Sequence, residues 1–155
     1  MHLVFLDTEF TDFNNPELIS IGLASSDGKV FYGETFYSDL ACSEFVRQVV
    51  IPLLSRTHQI ALEDLGVEII KWLELIRGDN PIVICYDANY DRDLLQRLFD
   101  NKTPDFLLFR SIGYRHINAL KRADFYSKNN LYEHHSLNDA MALRHAFRGW
   151  TRAVR

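Results

Sequence analysis

The chain has 155 residues, 47% of them hydrophobic and 25% charged, the size and balance of one soluble globular domain spanning residues 1–155 and able to bury a real core. No apolar run approaches the ~20 residues of a membrane span, the first strand leaves no room for a signal peptide, and two distant cysteines, Cys42 and Cys85, suggest neither a zinc site nor a disulfide framework, so a cytoplasmic protein is expected. The net charge of −4 hides a partition: residues 1–106 carry 8 Lys/Arg against 18 Asp/Glu and residues 107–155 carry 9 against 3, compatible with a metal-binding centre beside a polyanion-binding surface.

The first element is Leu3-Val4-Phe5-Leu6-Asp7-Thr8-Glu9-Phe10. Four apolar residues without alternation describe a strand buried on both faces. Residues i and i+2 of a strand point to one side, so Asp7 and Glu9 project together from its end. Two like charges beside a core repel and resist desolvation. A hard divalent cation with oxygen ligands is the natural third partner. The plainer alternative is an ordinary strand ending in a polar turn.

Thr11 to Pro16 reads as a loop. Two strand-like runs follow, Glu17 to Ala24 and Lys29 to Phe36, joined by the turn Ser25-Ser26-Asp27-Gly28, where Gly28 can take positive φ. The spacing of Phe45, Val46, Val49, Val50 and Leu53 predicts a helix over 40–54, and that of Leu62, Leu65, Ile69, Ile70, Trp72 and Leu73 a second over 61–77, closed by Gly78. Pro81 to Tyr86 is another apolar run, a buried strand parallel to the first, and it too ends in acids. A helix begins near Asn89 with Leu94, Leu95 and Leu98 inward. Asp91, in its first turn, is the acid aimed back at the strand end; Asp87 reads as a loop or cap residue and Asp93 as a solvated first-turn acid.

Phe106 to Phe109 is a short fifth strand, followed by a polar, basic connection through Arg110, Arg115, Lys121 and Arg122. The last helix is expected from Ser136 to Trp150. Asp139 shares a face with Leu143, Ala146 and Trp150, and a carboxylate on a core-facing stripe is costly unless paired or coordinated. His134 precedes it by five residues. A histidine beside a metal-bound water can take its proton at neutral pH, although a lone histidine is more often a surface or core residue. The order β-β-β-α-α-β-α-β-α predicts a five-stranded mixed sheet with helices on both faces. Sites in α/β sheets form beyond the carboxyl ends of strands, so the acids of the first and fourth strands are expected to meet.

Asp7-Thr8-Glu9, Tyr90-Asp91, and His134 with Asp139 resemble, in order and in context, the three motifs of the DEDDh 3′–5′ exonucleases, which have the ribonuclease H-like fold. The resemblance covers nearly the whole chain, and Asp-Thr-Glu-Phe followed by Glu17-Leu18-Ile19-Ser20-Ile21-Gly22 is similar to the small, mycobacterial-type exoribonuclease branch. It implies a metal-dependent 3′–5′ exoribonuclease releasing nucleoside 5′-monophosphates. Asp7 would bridge two Mg²⁺ or Mn²⁺ ions, Glu9 and Asp139 would bind the first, Asp91 would hold the second, and His134 would be the general base. The adjacent His135 leaves a second candidate for that role, with spacing favouring His134. The family often has His-Asn ahead of its second aspartate, where this chain has Tyr86-Asp87.

The implied partners are single-stranded RNA or RNA 3′ overhangs, with DNA as the rival substrate, and a second copy of the chain in a homodimer. Thr8, Phe10, Phe13 and Asn89 are expected at the substrate, the two phenylalanines stacking on or wedging between terminal bases. The segment 110–128 is expected to hold the substrate strand. With Asp139 at zero on a helical wheel, Arg144, Arg148, Arg152 and Arg155 fall at roughly 140–220°. They are therefore expected on a solvated or subunit-facing surface. Two further readings are a non-catalytic RNA-binding or scaffold domain, which would be expected to have lost a motif residue, and a metal-dependent phosphatase of small molecules.

Overall fold

The computed structural model describes residues 2–150. Its centre is β1 (His2–Phe10), hydrogen-bonded along one edge to β2 (Leu18–Ser25) and along the other to β5 (Ile82–Tyr86). β3 (Val30–Thr35), the short β4 (Gln59–Ile60) and β6 (Leu107–Ser111) complete a six-stranded sheet in the order β4-β3-β2-β1-β5-β6. β1 runs antiparallel to β2 and parallel to β5, so the sheet is mixed, as expected. The sixth strand corrects the expected five. Two residues pairing alongside Glu34 and Thr35 carry no periodicity that a sequence pattern can show.

The hairpin between β2 and β3 closes as predicted, with Gly28 at φ 97° and the Ser25 amide donating to Lys29 at 2.8 Å. The helix expected over 40–54 does not form as an α-helix. A 3-10 turn at Asp39–Ala41 precedes a π-helical stretch Val46–Val50, in which the Ile51 amide reaches back to Val46, and a second 3-10 turn at Ile51–Leu53 contains Pro52. Three valines with stiff χ1 and a proline lacking an amide hydrogen favour such an irregular path. Val46 and Val50 still pack on Ile19, but Phe45 is 51% exposed.

α1 (Leu62–Arg77) and α2 (Asn89–Leu98) cover one face, their Leu65, Ile69, Leu73, Leu94 and Leu95 packing on Val4, Leu6 and Ile84. α4 (Ser136–Ala146) covers the other, with Leu143 against Phe5, Val83 and Cys85. The segment expected as a polar connection contains a further helix, α3 (Ala119–Asn129), lying against α4. Its one buried side chain is Tyr126, so it has no apolar stripe for periodicity to detect. α4 ends at Ala146, short of the expected Trp150, because Phe147 leaves the helix to bridge Ile117 and Arg148 donates to the His116 carbonyl. No helix among the described residues is long and apolar enough to cross a membrane. Arg152 and Arg155 lie outside the described residues.

Candidate active site

β1 outruns its neighbour. Its pairing with β5 stops at Leu6 opposite Tyr86, whereas pairing with β2 continues through Asp7 opposite Gly22 and Glu9 opposite Ser20, with a register shift after Glu9. The end of β1 therefore stands clear of β5 and leaves room for the start of α2. Alternation places Phe5, Asp7 and Glu9 on the face covered by α4, and Thr8 on the opposite side, towards α2.

Each acid has its own support. Asp91, 4% exposed, accepts from the Thr8 amide at 3.1 Å, the Thr8 hydroxyl at 2.6 Å and the Ala88 amide at 3.3 Å. Thr8, expected at the substrate, thus directs both of its donors to Asp91. Asp139, 6% exposed, accepts from the Tyr126 hydroxyl at 2.6 Å and the His134 amide at 3.0 Å. His134 reaches that position in the left-handed region at φ 66°, a conformation that is costly for a residue with a Cβ and that recurs at functional sites.

The helix carrying Asp139 approaches closely because Gly22 has no side chain. A Cβ there would lie 2.5 Å from Leu137 Cα and would overlap the Ser136 carbonyl. A buried hydrogen bond of 3.0 Å between the Ser20 and Ser136 hydroxyls fixes the same contact.

These elements enclose a cavity of about 360 Å³ lined by Asp7, Glu9, Asp91, His134 and Asp139. The ligand atoms of Glu9, His134 and Asp139 all lie within 4.8 Å of one another. A larger groove of about 760 Å³ runs between α1, α2 and Phe36, but its lining is mostly apolar and holds none of these groups. Burial pushes Asp7 well above the usual carboxylate range, and repulsion from Asp91, Asp139 and Glu9 adds to it. Burial, then Asp139 and Asp91, pushes Glu9 up to about 8. Asp91 is pushed up to about 6 by burial, against the donors of Thr8 and Ala88. Burial raises Asp139 too, opposed by Tyr126, the His134 amide and Arg122. Such mutual repulsion is relieved by bound cations.

The other predicted residues separate. Phe10 and Phe13 line the cavity, and with Tyr90 they form a wall of three rings at centroid distances of 5.2–5.4 Å. Phe13 is 71% exposed, while Phe10 also packs on the main core. Asn89 is the exposed first residue of α2 and does not line the cavity; Ala88 and Tyr90 beside it do. His134 faces the cavity with Phe45 edge-on at 5.0 Å, whereas His135 stacks on Tyr32 at 4.7 Å. Asp93 pairs with Arg92 at 2.8 Å. Of the basic residues in 110–128, only Arg122 lines the cavity; Arg110 lies over the Trp150 ring at 3.8 Å. Arg144 donates to the Ser25 carbonyl, away from the site.

The sequence alone assigned no role at the site to Phe45 or Tyr126, quoted Tyr90 only as the neighbour of Asp91, and named Arg122 only among the basic residues of the segment expected to hold the substrate strand. Arg122 and Tyr126 have a visible signal in retrospect, a cation and a phenol four residues apart and so on one helix face.

The chain matches no protein-family model and no curated protein. Among solved structures it is similar to that of Pop2p from S. pombe in its Mg²⁺ and Mn²⁺ bound form, with a TM-score of 0.59 and 13% identity over 92% of this chain and 79% of that one. The fold is ribonuclease H-like. Within it, the four carboxylates and His134 come from the end of β1, the first turn of α2, the loop before α4 and the first turn of α4.

Proposed function

We propose that the chain is a metal-dependent 3′–5′ exoribonuclease that releases nucleoside 5′-monophosphates from RNA 3′ ends. One observation carries the reading: Asp7, Glu9, Asp91 and Asp139 converge with His134 on one cavity. The donor set fits hard divalent cations, since all four acids offer oxygen and two of them, Glu9 and Asp139, bring ligand atoms within 4.8 Å of each other and of a His134 ring nitrogen. Asp7, Glu9 and Asp139 would hold one ion, and Asp7 with Asp91 a second. Mg²⁺ or Mn²⁺ supplies the activation of water and the charge neutralisation that phosphodiester hydrolysis requires.

The chain's own groups do the remainder. His134 accepts the proton of the attacking water on its ring nitrogen. The Phe45 ring packs perpendicular to that imidazole. Tyr126 and the His134 amide hold the two Asp139 oxygens in place, while both Thr8 donors hold Oδ1 of Asp91 and the Ala88 amide holds its Oδ2. The ring wall of Phe10, Phe13 and Tyr90 offers apolar faces to the terminal bases.

The test is incubation of the purified chain with Mn²⁺ and matched single-stranded RNA, DNA and overhang duplexes, labelled at either end. Shortening from the 3′ end with 5′-monophosphate products, abolished by EDTA, is expected. EDTA-resistant cleavage, or products bearing 3′-phosphates, overturns the reading. Faster cleavage of DNA replaces the substrate while keeping the chemistry.

A further inference from the structure

α3 brings one further group to the cavity. Asn118 caps this helix by accepting from the Lys121 amide at 3.1 Å, which sets Arg122 in the first turn. Residues four apart share a helix face, and four positions on, Tyr126 donates to Asp139 at 2.6 Å. The same face therefore carries the Arg122 side chain towards the carboxylates, and Arg122 lines the cavity with Asp7, Glu9 and Asp139. Its charge is felt there, since it draws Asp7 and Asp139 down against burial and repulsion.

Yet among the described residues Arg122 forms no ion pair with any of these acids. Its Nε is buried without a hydrogen-bond partner, an arrangement that folding alone does not favour. A structural counter-ion would be closed onto its acid. This guanidinium interacts with the Tyr126 hydroxyl but closes onto none of the acids, and its Nε keeps donor capacity.

A planar fork of N–H donors matches two oxygens on one atom. The nonbridging oxygens of a phosphodiester present that pattern. The charges agree as well: four ionised carboxylates and two divalent cations cancel, leaving Arg122 as one positive charge for one phosphodiester. We propose that Arg122 grips the nonbridging oxygens of the phosphate being cleaved, an inference that rests on the nuclease reading above.

The experiment compares the full chain with Arg122→Gln and Arg122→Lys, each first verified as folded by thermal melting. Calorimetry with Mn²⁺ present measures binding of AMP and of adenosine. Arg122→Gln is expected to weaken AMP on the order of 10–100-fold, to leave adenosine unchanged, and to keep the Mn²⁺-induced rise in Tm. Arg122→Lys, a point charge without the fork, recovers part of the AMP affinity. On RNA, kcat/KM for Arg122→Gln falls by about 10²-fold.

Unchanged AMP affinity in Arg122→Gln, with a smaller response to Mn²⁺, makes Arg122 a counter-ion of the acids and overturns the proposal. If the wild type hydrolyses RNA and Arg122→Gln does so equally well, the inference fails while the nuclease reading stands. If the wild type hydrolyses no RNA but prefers AMP over adenosine through Arg122, the nuclease reading fails and the phosphate contact stands.

Discussion

Glu34 and Asp139 are both buried carboxylates, and their surroundings treat them oppositely. Glu34 accepts from the Arg56 amide, the Ser55 amide and hydroxyl, and the Tyr32 hydroxyl, and these donors outweigh burial and bring it below the usual range. It is a structural acid, sufficient to itself. Asp139 has two donors yet stays raised, with Asp7 and Glu9 close by. Groups held short of satisfaction in a cavity are where ligands act. The same contrast separates the two histidines. His135 stacks on Tyr32, and burial holds its pKa below the ordinary value, whereas His134 faces the acids. His134→Ala is therefore expected to lower kcat on the order of 10²–10⁴-fold, the usual cost of losing a general base, while His135→Ala changes kcat little and lowers Tm through lost packing. Steady-state kinetics and a thermal melt of both variants check this. A damaging His135→Ala beside a mild His134→Ala would shift the base by one residue.

At the scale of elements, most of the frame was legible in the chain, because burial writes itself into continuous apolar runs. β1 and β5 read as strands from Val4-Phe5-Leu6 and Ile82-Val83-Ile84, and α1 from its leucine and isoleucine spacing. Asp7, Glu9, Asp91 and Asp139 were legible as acids at the ends of such runs or on a core-facing stripe. What escaped lay where the pattern carries no burial. α3 buries little beyond Tyr126, β4 has two residues, and the π-helical turn at Val46–Val50 keeps a helical spacing while turning Phe45 out to the cavity. Close approach is another silent feature, since Gly22 within an apolar strand does not announce that α4 rests on it. Gly22→Ala presses a methyl group into the Ser136–Leu137 backbone. Overpacking costs ~1–3 kcal/mol, and rigid backbone puts this case at the upper end, a fall in Tm of roughly 6–12 °C at ~2–4 °C per kcal/mol. Displacing α4 also moves Asp139 and His134, so activity falls with it. Gly113→Ala is the control: with φ −66° and nothing within 4 Å of its Cβ position, it leaves Tm and turnover unchanged or slightly raised. Equal Tm values for the two variants would mean that the sheet and α4 separate without cost.

Across the whole molecule, Arg122 from the basic part of the chain enters a centre built mainly from the acidic part. That centre makes the metal-free protein oppose its own fold as pH rises. In the unfolded chain, Asp and Glu lose their protons near pH 4; in the folded protein, Asp91 holds its proton to about 6 and Glu9 to about 8, with Asp7 and Asp139 also raised. Between these limits the native state binds more protons than the unfolded state, so stability declines with pH. Metal-free protein is therefore expected to melt at a higher temperature near pH 5.5 than near pH 8. Asp7→Asn removes one charge from the cluster, flattens this dependence, raises the metal-free Tm at pH 8 and abolishes catalysis. Cations act in the opposite sense, because they bind the deprotonated acids. Mn²⁺ at 100 times its dissociation constant adds ~2.7 kcal/mol, a rise of roughly 5–10 °C for a domain of this size, and at a fixed Mn²⁺ concentration the rise grows from pH 5.5 to pH 8. In Asp7→Asn it is largely lost. Melts of both proteins at the two pH values, with EDTA and with Mn²⁺, measure all of this, and subtracting one protein from the other cancels titrations elsewhere. A wild type that is more stable at pH 8 than Asp7→Asn without metal, and that does not respond to Mn²⁺, would make Asp7 an acid of the same kind as Glu34, held for the fold and not for a ligand.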